Sequence, residues 1–503
     1  MVAAGVTPST GEVAGRVREA FLEARYTADG VRALLGPVAE SALHRGETVP
    51  ARRASADGSP LATLVRLFAL QDLVPLSAAE AAFPVTAALE AGLLATDGGD
   101  VRALVSVEPY AEPGGPPWWV VSDLAGGLDG AHRPLRDDHV VGVGGASTTL
   151  AQITIREPVG RTLDLGTGCG VQALHASRHS DTVTATDVSP RALTLARWTA
   201  ALSEVDLDLR EGSFTDPVKD ETFDLVVSNP PFVVAPHGRH TYRETGLPLD
   251  GVTAHLLTTA PRLLTEGGTL QLLGNWVHRR GEPWDERVAS WLPAAGVQAQ
   301  VVQREVQDPA EYVALWLRDS DEVGTPSYRQ RYDEWLQVFE HADVEAVGFG
   351  FVTVRRVDGP GGAEIVDWPH PVEQPLGPHI SADLDRAGWL RATDDHALAT
   401  AHLRLADGVV QEQVGPPGAE DPEHVVLRSQ RGFRRAVRTD TATAAFTGAC
   451  DGRLPVAALA EAVLDVLTTP ADDRPRARED LLAGVRALVS AGILEPDRSS
   501  LAS

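Results

Sequence analysis

A doubly wound α/β sheet is predicted for the middle of this 503-residue chain, and three stretches predict it. In the first, a short run from Arg161 ends in apolar residues, turns through Asp164-Leu165-Gly166-Thr167-Gly168-Cys169-Gly170 and enters Val171-Gln172-Ala173-Leu174-His175-Ala176, of helical composition. Strand, tight glycine turn and helix, in that order, form the first unit of such a sheet. The second stretch is Val183-Thr184-Ala185-Thr186-Asp187, a strand that ends on a carboxylate. It lies about twenty residues further on, the spacing at which an acid meets ribose hydroxyls in this fold. The third is Phe223-Asp224-Leu225-Val226-Val227-Ser228, with the length and β-branched content of a buried parallel strand. It delivers Asn229-Pro230-Pro231-Phe232 to its carboxyl end, the edge where open α/β sheets bind ligands.

Taken in order, residues 1–112 read as a helical domain with a small sheet. Segments 17–25 and 61–73 carry apolar residues at helical spacing, and Ser77-Ala78-Ala79-Glu80 fits a capping box that opens a further helix. A helix at 88–94 ends at Gly92, and Asp97-Gly98-Gly99-Asp100 turns the chain into a strand at 101–107. Helices followed by a β-ribbon resemble a winged helix, read here as a packing or substrate-positioning domain rather than a DNA binder. The cluster Glu112-Pro113-Gly114-Gly115-Pro116-Pro117 marks a linker, which opens a central domain at 113–360. There Trp118-Trp119-Val120-Val121-Ser122-Asp123 is a strand, and 140–149 leads into a helix just before the glycine turn. The helix at 190–200 is capped by Ser189, with Pro190 in its first turn. Glu211-Gly212-Ser213-Phe214 follows a third strand, 252–264 is a helix, and strands at 269–275, 297–306 and 344–356 complete a mostly parallel sheet of seven strands. Pro360-Gly361-Gly362 is the next break. Beyond it, 361–503 is a C-terminal α+β domain, winged-helix-like near 421–503, where Ala487 to Leu494 echoes the 88–94 pattern.

The glycine pattern is G-x-G-x-G and not the full dinucleotide fingerprint, so a ligand-free turn or a nicotinamide site would satisfy it alone. Asn229-Pro230-Pro231-Phe232 decides between these. With the glycine loop at this spacing, residues from about 138 to 356 resemble the class I S-adenosylmethionine-dependent N-methyltransferases, in particular the HemK-like group that modifies planar amino groups. The resemblance implies a Rossmann-like methyltransferase core that binds S-adenosylmethionine through Gly166, Thr167, Gly168, Gly170, Asp187 and Val188. Asp164 is then the expected contact to the methionine amino group. The family pattern usually has Gly-Asp at 212–213, for the adenine amino group. Here Ser213 replaces the acid, which leaves Phe214 as the contact or as a core residue.

A delocalised nitrogen lone pair makes an amide or aryl amine a poor nucleophile. If the Asn229 side-chain oxygen and the Pro230 carbonyl accept its two N–H bonds, the lone pair is aimed at the sulfonium methyl. Pro230 and Pro231 stiffen that loop, and Phe232 stacks on the flat group carrying the nitrogen. No strong base is required, because orientation does most of the work. Thr148 and Thr149 (with Ser147) lie where the family folds a segment over cofactor and substrate, although Ser and Thr are equally ordinary N-caps. The long polar loop at 237–251 offers Tyr242, Arg243 and Glu244 for substrate recognition. His237 and His240 lack partners at ligand spacing, so no metal is expected.

The formal charge of −26 disfavours broad adhesion to nucleic acid or anionic membrane, and two cysteines exclude a disulfide framework. No signal peptide or long apolar run is read, which implies a cytoplasmic protein. Arg428, Arg431, Arg434, Arg435 and Arg438 form the densest basic patch, able to bind phosphate or to pair with neighbouring carboxylates. The expected acceptor is macromolecular. The core motifs look closer to the HemK-like glutamine enzymes, which favours a protein glutamine amide such as one in a translation factor. An exocyclic base amine of rRNA or DNA remains the chemical alternative, and a non-catalytic S-adenosylmethionine-binding regulator the third reading.

Overall fold

The structure, a computed structural model, describes residues 6–7, 11–126, 136, 138–231, 233–234, 247, 249–319, 324–417 and 422–496. The chain divides into two compact units. One comprises Met1–Ala151, Glu157–Val297 and Val301–Asp367, the other Gln152–Arg156, Gln298–Gln300 and Trp368–Ser503.

The first unit opens with helices α1 (Gly11–Glu23), α2 (Ala28–Leu43), α3 (Val49–Ala54) and α4 (Pro60–Leu64), the last running on into a π turn at Val65–Ala69. After β1 (Val74–Pro75) come α5 (Leu76–Ala82) and α6 (Val85–Glu90), then β2 (Leu94–Asp97), β3 (Asp100–Ala103), β4 (Ser106–Tyr110) and β5 (Trp118–Ser122). Strands β1, β3 and β2 form a small antiparallel ribbon. The expected capping box at Ser77 is not used. Pairing of Val74 and Pro75 with β3 brings the chain into the helix at Leu76, which places Ser77 inside it with no side-chain cap.

Strand β5 pairs with β4 and turns its other edge to a helix of the main sheet, α9 (Pro190–Ser203). The amides of Trp119 and Val121 donate to Ser203 Oγ (3.1 Å) and Thr199 Oγ1 (2.9 Å). Residues 199 and 203 share one helix face, and alternate amides of a strand share one edge, so a helix here completes a strand ladder. Trp119 Nε1 donates to the Tyr26 carbonyl (2.8 Å), and Trp198 Nε1 to that of Thr7 (2.8 Å). One continuous apolar core therefore runs from Phe21 and Phe68 through Trp118 and Trp119 to Leu195, Trp198 and Leu202.

Between β5 and α9 lie α7 (Gly145–Ile153), β6 (Val159–Leu165), α8 (Val171–Ala176) and β7 (Ser180–Asp187). Beyond α9 follow β8 (Asp208–Glu211), β9 (Phe223–Ser228), α10 (Gly251–Leu263), β10 (Leu264–Arg279), α11 (Trp284–Ala289), β11 (Val297–Gln307), α12 (Pro309–Asp319), α13 (Tyr328–His341), β12 (Val344–Arg356) and β13 (Gly362–Asp367). Among the described residues the sheet has eight strands, in the order β13-β11-β12-β10-β9-β6-β7-β8. Neighbours from β10 to β8 are parallel, and β12 is antiparallel to β10. The expected seven strands become eight because β13 follows the Pro360-Gly361 break and lines the edge beyond β11. The chain is thus an α/β protein with a mixed, mostly parallel sheet.

The second unit contains α14 (Gly377–Ala392), α15 (Asp395–Thr400), β14 (His402–Leu405), β15 (Val409–Val414), β16 (His424–Ser429), β17 (Ala436–Thr439), α16 (Thr441–Ala449), β18 (Asp451–Pro455), α17 (Val456–Val466), α18 (Arg474–Ser490) and β19 (Leu494–Pro496). Two three-stranded sheets, β18-β14-β19 and β15-β16-β17, frame a core that includes Phe446, Leu481, Val485 and Leu488. Much of the arginine patch is neutralised here: Arg428 pairs with Glu412 (2.7 Å), Arg431 with Glu373 (2.6 Å) and Arg435 with Asp383 (3.2 Å). The Arg428 and Arg431 pairs are exposed and contribute little stability, whereas Asp383 is buried, and all three cancel charge that would attract a phosphate. Among the described residues no helix is long and apolar enough to cross a membrane.

Candidate active site

Register places the motifs side by side. Leu165 at the end of β6 lies opposite Thr186 of β7 and Ser228 of β9, and Asp187 lies opposite Glu211 of β8. Because these strands are parallel, the loops at 166–170, 187–189, 212–214 and 229–231 all leave from one carboxyl edge. Ser228 Oγ donates to the Leu165 carbonyl (2.7 Å) and stitches the two central strand ends together.

The glycine loop is fixed by backbone bonds. Gly166 and Thr167 amides both donate to the Thr186 carbonyl (2.9 Å each). Gly166 and Gly168 have φ of 76° and 56°, in the left-handed region that side chains disfavour. Among the described residues a Cβ at either would meet no atom within 4 Å, so each of these glycines leaves room for backbone to approach a ligand. Gly170 (φ 85°) has a second reason as well: a Cβ there would stand 3.3 Å from that of Ala196 on α9.

Asp187 organises the loop across the strand gap. Its Oδ2 accepts from the Gly168 amide and its Oδ1 from the Ser189 amide, both at 2.9 Å. Each carboxylate oxygen keeps a second lone pair able to accept a further hydrogen bond. Burial raises its pKa against those backbone donors. The next side chain, Val188, is 52% exposed, an apolar surface at the strand end.

Among the described residues, two buried oxygens at this edge lack partners. Asp164 accepts from Thr167 Oγ1 (2.6 Å) and the Ala173 amide (3.0 Å) through Oδ2, while its buried Oδ1 has none. Desolvation pushes its carboxyl up to about 7, with the two donors pulling the other way. Asn229 Oδ1 is likewise buried and unpartnered, next to the buried Pro230. An unmade hydrogen bond in a buried site costs about 1–3 kcal/mol, which marks both atoms as acceptors for a ligand's donors.

Of the remaining expected residues, Phe214 is half-buried with left-handed backbone (φ 43°), and its ring stands 4.9 Å from that of His255 on α10. Ser213 is exposed. Thr148 and Thr149 are exposed on α7, which is tied to α8 by the bond from Gln172 Nε2 to the Ser147 carbonyl (2.8 Å). Phe232, Tyr242, Arg243, Glu244, His237 and His240 lie outside the described residues. Sequence reasoning missed His255, and it missed the buried ion pair of Asp123 with Arg191, which tethers the segment at Val140 to the start of α9. No local pattern announces either contact. Among the described residues no group of three His, Cys, Asp or Glu side chains could hold a metal ion.

Residues 142–282 match the family model described as methyltransferase small domain. The middle of the chain thus carries the match to a methyltransferase domain. Residues 23–104 and 381–496 each match a model of a domain of unknown function. Among curated relatives, the release factor glutamine methyltransferase of Deinococcus radiodurans is 38% identical over 28% of this chain and 52% of its own. The ribosomal protein uL3 glutamine methyltransferase of Bradyrhizobium diazoefficiens is 31% identical over 33% and 56%. The ribosomal RNA small subunit methyltransferase C of Salmonella arizonae is 30% identical over 35% and 45%. The chain spans about half the length of these relatives. A solved methyltransferase from Pyrococcus furiosus is 17% identical over 42% of this chain and 80% of its own, with a TM-score of 0.26.

Proposed function

We propose that this chain transfers a methyl group from S-adenosylmethionine to the side-chain amide of a glutamine in a protein. The observation that carries the reading is the buried, unpartnered Asn229 Oδ1 beside Pro230, one strand from the glycine loop. When bound, S-adenosylmethionine supplies an electrophilic sulfonium methyl. Gly166, Thr167, Gly168 and Gly170 give it backbone to lie against, Asp187 meets the ribose, and Val188 and Phe214 offer apolar surface. Asp164 Oδ1 accepts from the ammonium group. Asn229 Oδ1 and the Pro230 carbonyl accept the two N–H bonds of the acceptor amide and hold its nitrogen facing the methyl group. Pro231 stiffens the loop, and Phe232 is the expected stacking surface.

Two things support a protein acceptor. Two of the relatives are glutamine methyltransferases by name, and the charge of −26 opposes the approach of a polyanion. An acceptor in the translation apparatus would place the reaction in the cytoplasm. We also read the residues before 113 and after 360 as winged-helix-like modules that handle the acceptor around the 113–360 core. A base amine of rRNA, the second reading, is favoured by the relative that is a ribosomal RNA methyltransferase and by Arg434 and Arg438, exposed without a carboxylate partner among the described residues. Incubation with methyl-labelled cofactor and lysate, followed by protease or nuclease, separates the two. Label released by protease and recovered as methylglutamine is expected; label lost only to nuclease would overturn the protein reading. Micromolar binding of NADH with none of S-adenosylhomocysteine would sink the cofactor assignment.

The Asp164 carboxyl gives a pH dependence. Its folded pKa of about 7 lies above the ordinary carboxylate range, so its contribution to stability is full in acid and is lost as pH rises through 7. A bound ammonium group favours the carboxylate, so cofactor binding should release a proton. Affinity is expected to weaken roughly tenfold for each pH unit below 7 and to level above it. Titration calorimetry in buffers of different ionisation enthalpy reads that proton, and Asp164→Asn should abolish both the release and the slope.

A further inference from the structure

We propose that Tyr312, on a helix inserted between the last strands of the sheet, is a positioning residue that sets the Asn229 loop for methyl transfer. The proposal rests on the reading of Asn229 as the acceptor-orienting side chain. The loop is pinned at its start by Ser228, bound to Leu165. Its far side is pinned by Val234, whose amide donates to the Tyr312 phenol oxygen at 2.8 Å. The same oxygen accepts from Asn275 Nδ2 at 3.0 Å. Asn275 lies on β10 beyond the partner of Ser228, which is Leu272, and so toward the same carboxyl edge of the sheet as the loop. One phenol thus joins the loop, the neighbouring strand and α12.

Burial gives these bonds their weight. Tyr312 and Val234 are 0% exposed and Asn275 1%, so solvent does not replace a lost partner. The ring is wedged among Phe349 (5.4 Å), Phe339 (5.9 Å) and Trp316 (6.0 Å), which keeps the oxygen in place. With two prolines between the pins, the backbone carrying Asn229 has few ways to move. Substituting one pin should shift the Asn229 oxygen rather than unfold the core.

Tyr312→Phe keeps the ring and removes the oxygen. Amide exchange in the peptide covering 229–234 should quicken about tenfold or more, while peptides of α12 stay unchanged and S-adenosylhomocysteine affinity holds. Transfer at saturating cofactor should fall on the order of 10- to 100-fold, with no further loss when Tyr312→Phe is added to Asn229→Ala. Unchanged exchange at 229–234, or an additive loss in the double variant, would overturn the proposal. Should the phenylalanine variant fail to fold, Asn275→Ala removes the second donor and must raise exchange in the same peptide. A parent protein with no transfer counts against the Asn229 reading alone, because exchange still decides whether Tyr312 holds the loop.

Discussion

Asn229→Ala is expected to slow methyl transfer by roughly 30- to 1000-fold and to leave cofactor affinity within about twofold of the parent. The reason lies in the geometry of one atom. Asn229 Oδ1 is buried without a partner, so the resting protein already carries the cost of desolvating it, and the acceptor's N–H group recovers that cost in the complex. Removing an acceptor bond to the reacting nitrogen should raise the barrier by about 2–4 kcal/mol. Among the described residues no hydrogen bond joins the Asn229 side chain to the glycine loop or to Asp187, so binding of S-adenosylhomocysteine should not follow. Rates at saturating cofactor, with calorimetric affinities alongside, separate the two effects. Full activity in Asn229→Ala would show that the side chain does not orient the nucleophile.

The complementary variant is Asp187→Ala, where affinity rather than rate should collapse. Its carboxylate holds two backbone amides, at Gly168 and Ser189, in addition to any ribose contact. Hydrogen bonds to a charged group contribute about 1.5–3 kcal/mol each, so the dissociation constant for S-adenosylhomocysteine should rise roughly 100-fold or more. At saturating cofactor the transfer rate should stay close to that of the parent. A dissociation constant within threefold of the parent would remove Asp187 from the cofactor site.

What the sequence made legible were the features that depend on neighbours in the chain. Glycines that need positive φ and β-branched runs such as 223–228 are local devices, and each appears in the structure where the pattern put it. Strand β13 was not legible, because Gly362, Ala363, Glu364, Ile365, Val366 and Asp367 lack alternation and sit behind a Pro-Gly break. The capping box at Ser77 misled because strand pairing of Val74 overrides a weak local preference. Contacts across sequence distance left no trace. Asp123 finds Arg191 68 positions away, and Arg431 finds Glu373 58 away. The basic patch therefore looked more available in the sequence than it is in the fold.

The way α9 completes the ladder of β5 constrains how this protein can vary over time. The helix has the sheet behind it and Trp119 and Val121 in front, with hydroxyls at Thr199 and Ser203 spoken for by strand amides. A larger residue at Leu195 or Leu202 must be matched by a smaller one in the helical layer, and the loss of either hydroxyl leaves a strand amide bare. Drift in the first hundred residues and drift in the cofactor-binding half are therefore coupled substitutions, so neither segment can be exchanged for a distant counterpart without the other.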